Sequence, residues 1–255
     1  MDLSFKEYGA GHPFVILHGL FGMGDNWSTL GRRFGDHFLT FTPDMRNHGR
    51  SPHLPEMDYP SMSRDIHAFV EENWLYNAFL MGHSMGGKIA MQAALDNNDL
   101  FEKLIVVDIA PRAYNGGHDD IFKAMMSLDL STMADRKAIQ AELQEKIQDK
   151  GIVQFILKNI VFDKTLGHYT WRMNLDSIHD NYASILQGIK SPHTYDRPAL
   201  FIRGANSGYV NDGDMTDIKK LFPQARLETI ADAGHWVHAE QPQKLYDLVI
   251  DFLNE

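Results

Sequence analysis

The chain contains no cysteine, which excludes disulfides, thiolate metal sites and a cysteine nucleophile, and a cytoplasmic setting is the default expectation. It has no apolar run approaching the roughly 20 residues of a membrane helix. Its first residues, MDLSFKEYGAG, lack a basic stretch followed by an apolar one. No membrane partner is expected. Positive charge is in deficit: 24 lysines and arginines stand against 34 acidic residues, a formal net charge of -10. That balance repels phosphate backbones, so nucleic acid is not an expected partner. Histidines are plentiful, yet no HExxH pair occurs, and His235 and His238 have no third ligand near them in sequence. Neither a metal nor a cofactor is expected.

What is present is ample apolar content, 44% of 255 residues, enough for one large domain or a domain with an insertion. Apolar runs alternate with segments of helical periodicity, the pattern of βα units around a mostly parallel sheet. The runs predict strands at residues 13–17, 38–41, 78–81 and 104–107, and again in ALFIRG and ARLETI. Trp27, Leu30 and Phe34 mark one helical face; Met62, Ile66, Phe69 and Val70 mark another. From Pro111 to about Pro198 no strand pattern is visible, only helical stretches such as DIFKAMMSLDL and RKAIQAELQEKIQDKGIVQFIL. The expectation is an α/β core formed by residues 1–111 and 198–255, with a helical cap inserted at residues 112–197.

Gly82-His83-Ser84-Met85-Gly86 is a GxSxG sequence, weak as a bare string. Its context is stronger: four apolar residues precede it and a helical run follows, so Ser84 falls at a sharp strand-to-helix turn that lifts its hydroxyl out of the sheet. A serine hydroxyl needs a base to take its proton. His83 belongs to the turn and would point away, and His18 reads as a packing residue. His235, in DAGHWVH after the last strand, fits the chain order nucleophile, acid, histidine.

The histidine needs a carboxylate to hold its tautomer. The loop after ALFIRG, where such an acid often lies, offers Ser207 instead. Asp108 ends the preceding strand, LIVVD, and neighbouring parallel strands bring their carboxyl ends to one edge, so Asp108 is the expected acid. The plainer reading is an aspartate capping the turn IAP. Asp212 and Asp214 are rivals ranked below it, and Ser207 is an accessory candidate able to hydrogen-bond without supplying charge. An oxyanion needs two N–H donors; Met85, just after Ser84, and Leu20, in HGLFG, are the candidates. Gly19, Gly22 and Gly24 with Asp44 suggest a dinucleotide site, but the spacing is GxxGxG, not GxGxxG. Asp44 and Arg46 are better read as ordering the turns around the site.

HGLFG, DMRNHGRS, GHSMGGKIAM, VVDIAP and AGHWVHAE, in that order, resemble the α/β-hydrolase superfamily, and in particular its YbfF-like esterase branch. The resemblance spans essentially the whole chain. It implies a doubly wound sheet with a helical cap, and ester hydrolysis through an acyl-enzyme. Ser84 would be the nucleophile, His235 the base, Leu20 and Met85 the oxyanion donors, and Asp108 is similar to the aspartate of that branch's VDIAP motif. The departure from the wider superfamily is Ser207 where aspartate is usual. Serine at the turn disfavours dehalogenases and epoxide hydrolases.

The expected substrate is a short to medium acyl carboxylic ester or thioester. The alternatives are a lyase or carbon–carbon bond hydrolase using the same Ser-His-Asp set, and a binding protein that keeps the fold without turnover. Phe122, Met125, Met126, Phe155 and Trp171 are candidates to line an acyl pocket, although such residues at helical spacing more often make core contacts. The sequence does not set the oligomeric state; a monomer suffices for catalysis.

Overall fold

A computed structural model describes residues 1–255. The apolar runs become strands β2 (Pro13–Leu17), β3 (Leu39–Pro43), β4 (Ala78–His83), β5 (Phe101–Val107), β8 (Ala199–Gly204) and β9 (Ala225–Ile230), all parallel. An antiparallel edge strand, β1 (Phe5–Tyr8), pairs with β3, and the order across the sheet is β1-β3-β2-β4-β5-β8-β9. The inner strands read as continuous apolar runs because both faces are covered. Along β2, Phe14 and Ile16 pack on one side with Phe34 of α1 (Ser28–Phe34) and Leu245 and Val249 of α11 (Pro242–Asn254). Val15 and Leu17 pack on the other with Ile66 of α2 (Tyr59–Glu72) and Ile89 of α3 (Met85–Asp96).

The chain from β2 runs to β3 on one side, whereas β4 pairs on the other side of β2. Strand order therefore reverses between β2 and β4, opening a crevice beyond their carboxyl ends, where open parallel sheets bind ligands. The loops that meet there carry Gly19-Leu20 and Ser84-Met85.

Residues 112–197 add no strand to this sheet. They form α4 (Asp119–Met126), α5 (Arg136–Lys146), α6 (Lys150–Leu157), α7 (Leu175–Asp180) and α8 (Tyr182–Leu186). The segment is not wholly helical, as the sequence had suggested: β6 (Ile160–Asp163) and β7 (His168–Trp171) form an antiparallel hairpin. Each strand has only four residues, too short for a period to register in the sequence. The long predicted helix through RKAIQAELQEKIQDKGIVQFIL also divides, because Asp149 accepts from the amides of Gly151 and Ile152 and starts α6 afresh. The remaining helices, α9 (Asp214–Leu221) and α10 (Val237–Glu240), flank β9.

Candidate active site

Ser84 sits between β4 and α3 with φ 54° and ψ -121°, a backbone conformation costly for a residue with a side chain. The flanking glycines explain how so sharp a turn is packed. A Cβ on Gly82 would lie 2.1 Å from the Gly86 carbonyl oxygen, and one on Gly86 would lie 2.5 Å from the carbonyl oxygens of Leu17 and His18. Only bare backbone lets α3 begin directly against the end of β2, so Ser84 and the HGLFG loop become neighbours.

Asp108 also has positive φ, 53°, and is fully buried. Its Oδ1 accepts from the Gly204 amide at 3.1 Å, and its Oδ2 accepts from the Ser207 hydroxyl at 2.5 Å. The same Oδ2 faces His235 Nδ1 at 2.7 Å, while His235 Nε2 faces Ser84 Oγ at 3.0 Å. With Nδ1–H donating to the carboxylate, Nε2 is the acceptor for the serine proton. The three side chains selected from the sequence thus form one continuous relay, and Ser207 touches its far end. Such a relay can deprotonate a hydroxyl and return the proton to a leaving group.

The rival acids are engaged elsewhere. Asp212 pairs with Arg203 at 2.7 Å; Asp214 accepts from Arg112 Nε and the Asn211 amide, both at 2.9 Å. Leu20 and Met85 line the same cavity as Ser84. Across residues 20–24 the amides of Phe21, Gly22, Met23 and Gly24 all have internal acceptors, whereas that of Leu20 has none. Met85, the first residue of α3, likewise keeps its N–H unpaired, as a helix start requires.

Several supports were not evident from the sequence. His83 does turn away from Ser84, but it acts on His235: its Nε2–H donates to the His235 carbonyl at 2.7 Å. Burial holds its pKa well below 6.5, helped by repulsion from His235 and His238, so the ring stays neutral. Glu240 accepts from the amides of Gly234 and Trp236, fixing the loop on both sides of His235. The ring of Tyr209 stacks on the imidazole, with centroids 3.9 Å apart and planes 17° from parallel. Tyr114 in turn accepts from the Ala110 amide at 2.8 Å and donates to the Tyr209 carbonyl at 2.6 Å. Glu240, in the segment GHWVHAE, and Tyr114 on Ala110 make local contacts; the others join residues far apart in sequence.

The DMRNHGRS loop buttresses the site. Asp44 Oδ1 accepts from the Gly24 amide at 2.7 Å and Oδ2 from the Arg50 amide at 2.8 Å, so both oxygens serve turns. Arg46 makes a buried bidentate pair with Asp65, at 2.6 and 2.8 Å. His18 and His48 each donate from Nδ1 to a carbonyl and accept an amide at Nε2, from Met45 and Phe21 respectively. Burial lowers the pKa of His18 to about 4; burial, reinforced by repulsion from His18, lowers that of His48 to about 3.

A cavity of about 530 Å³ opens over Ser84, walled from the inserted segment by Ile121, Ile152, Phe155 and Tyr182. Of the five pocket candidates, Phe155 alone lines it. Phe122 and Met125 are buried in the main core, Met126 is exposed, and Trp171 packs against the core away from the cavity. The 100° step of α4 accounts for Phe122 and Met126, which turn away from the face that Ile121 presents to the cavity; Met125, one turn after Ile121 on that face, is buried in the core instead.

The family model described as the alpha/beta hydrolase fold matches residues 12–137 and 128–242. The chain belongs to the α/β hydrolase family. Within it the chain is 38% identical over 244 residues to Esterase YbfF of Escherichia coli, covering 95% of this chain and 93% of that protein. It is 39% identical over 249 residues to the mouse (Mus musculus) sn-1-specific diacylglycerol lipase ABHD11, covering 94% of this chain and 80% of that one. A solved structure described as a marine microorganism esterase superposes with a TM-score of 0.96 at 41% identity, covering 98% of this chain and 99% of the other. These relatives agree with the YbfF-like esterase branch that the motifs resemble.

Proposed function

We propose that the chain is a serine hydrolase that cleaves carboxylic esters, and thioesters by the same route, through an acyl-enzyme on Ser84. His235 Nε2 takes the hydroxyl proton as Oγ attacks the carbonyl carbon, and Asp108 stabilises the imidazolium that forms. The tetrahedral oxyanion accepts from the Leu20 and Met85 amides, the second at a helix N-terminus where the peptide dipoles favour negative charge. As the carbonyl re-forms, the imidazolium gives its proton to the departing alcohol or thiol. Water then repeats the sequence on the acyl-enzyme, with His235 again as base, and releases the acid.

The observation that carries this reading is the unbroken relay: 3.0 Å from Ser84 Oγ to His235 Nε2 and 2.7 Å from Nδ1 to Asp108 Oδ2. Residues 112–197 act as the lid. A largely apolar cavity of about 530 Å³ suits acyl groups of short to medium length. Treatment with a fluorophosphonate, followed by peptide mapping and a rate panel of acyl esters, tests the reading. A stoichiometric adduct on Ser84 with parallel loss of turnover is expected. Hydrolysis that persists in Ser84→Ala, or the absence of any adduct, would overturn it.

A further inference from the structure

Lys88 lies four residues after Ser84 on α3 and is 1% exposed, yet no carboxylate pairs with it. Its ammonium has three donors, of which one is used, toward the Gln187 carbonyl. The rings of Tyr59 and Tyr114 flank it, with centroids 5.4 and 4.8 Å from Nζ. Lys88 is also the one lysine or arginine in the cavity wall. The one acidic residue there, Glu240, spends its oxygens on the Gly234 and Trp236 amides.

A buried cation without a counter-ion is costly, and two faces of aromatic electron density offset only part of that cost. Burial accordingly lowers the Lys88 pKa to about 7, with Arg112 pushing the same way. An incoming anion would restore the missing partner. Position then sets which anion fits. Ser84 and Lys88 line the same cavity, and four residues of rise set Lys88 roughly 6 Å from Ser84 along the α3 axis. Two or three methylenes between the attacked carbonyl carbon and a carboxylate carbon span roughly 4–5 Å, a similar distance.

Resting on the esterase reading, we propose that Lys88 is a specificity-determining residue that selects esters bearing a carboxylate two or three methylenes from the ester group. The carboxylate can belong to the acid or to the alcohol portion, and the test separates the two. Two pairs of matched esters are compared, each pair differing only by carboxylate against isopropyl. The acid-side pair is p-nitrophenyl hemisuccinate and p-nitrophenyl 4-methylpentanoate; the alcohol-side pair is 3-acetoxypropanoate and 3-methylbutyl acetate.

In at least one pair, Lys88→Met is expected to lower the charged-to-neutral ratio of kcat/KM by about 30-fold or more, as removal of one member of a buried charge pair does, and Lys88→Arg to retain most of it. A lysine serving only as a strut to Gln187 would leave both ratios unmoved, and that result overturns the proposal. Ser84→Ala protein provides a readout without turnover: in at least one amide pair, N-phenylsuccinamate against N-phenyl-4-methylpentanamide or 3-acetamidopropanoate against N-(3-methylbutyl)acetamide, the charged member should bind at least 10-fold tighter, a preference lost on adding Lys88→Met. Equal binding in both pairs would also overturn it, including where Lys88→Met does not fold. Absence of hydrolysis for all four esters with this binding preference intact would instead fault the esterase reading alone.

Discussion

The Ser207 hydroxyl donates to Asp108 Oδ2, the same oxygen that faces His235 Nδ1. A residue on the loop after β8 thus completes the environment of an acid that stands at the end of β5. Asp108→Asn is expected to reduce kcat by about 10³- to 10⁴-fold with unchanged circular dichroism, since the imidazole loses its orienting charge. Ser207→Ala removes one neutral donor and should cost about 3- to 30-fold, the scale of a single hydrogen bond. The double variant Asp108→Asn with Ser207→Asp moves the carboxylate to the neighbouring strand. Ester turnover at least 10-fold above Asp108→Asn alone is expected; no recovery would show that the loop cannot aim a carboxylate at Nδ1.

Strain at the turn gives a second expectation. With φ 54° and ψ -121°, position 84 favours glycine. Ser84→Gly should be more stable than Ser84→Ala by about 1–3 kcal/mol in urea unfolding, while both are inactive toward esters. Equal midpoints would mean that the turn relaxes in the alanine variant.

Acid should weaken the fold through His18 and His48. Their folded pKa values, about 4 and about 3, lie below the ordinary 6.5, so the unfolded chain binds protons that the native state refuses. Stability therefore rises with pH across this range. It is complete above about 6.5 and is lost as pH falls toward 4, on the order of 3 kcal/mol for His18 alone. Denaturant midpoints at pH 7.5, 6 and 5 check the direction; a flat profile would contradict it.

The Arg46–Asp65 pair predicts an asymmetry between single and double variants. Asp65→Ala strands a buried guanidinium and should destabilise by about 3–5 kcal/mol. Arg46→Met combined with Asp65→Leu removes both charges and should cost markedly less. Guanidinium unfolding of the three proteins decides it, and an additive double variant would refute the argument.

The parallel strands were legible because strands covered on both faces carry continuous apolar runs, as in Ala78–Met81 of β4 and Leu104–Val107 of β5. β1 was not: FKEY is short, with two adjacent charges at its centre, and its place is fixed by pairing with β3, not by its own composition. The β6–β7 hairpin escaped for a similar reason. At the site, Ser84 could be read from its glycines and Asp108 from strand adjacency, both local or topological signals. The contact of His83 with the His235 carbonyl joins residues 152 positions apart, and the stacking of Tyr209 on the same ring depends on how two loops fold over one edge. No periodicity encodes such meetings. The apolar candidates on α4 failed as pocket residues because a helix stripe says which side is buried, not whether it is buried against protein or against a void.

Tyr114 stands six residues beyond Asp108 and is stitched to Ala110, Tyr209 and, through its amide, the Leu186 carbonyl; Ile189 is stitched to the Pro111 carbonyl nearby. Entry and exit of the insertion are thereby fastened to each other and to the tyrosine that braces the imidazole. On the proposed reading of residues 112–197 as a lid, a hinge admitting a bulky guest lies inboard of those stitches, which leaves the Ser84–His235–Asp108 relay in alignment.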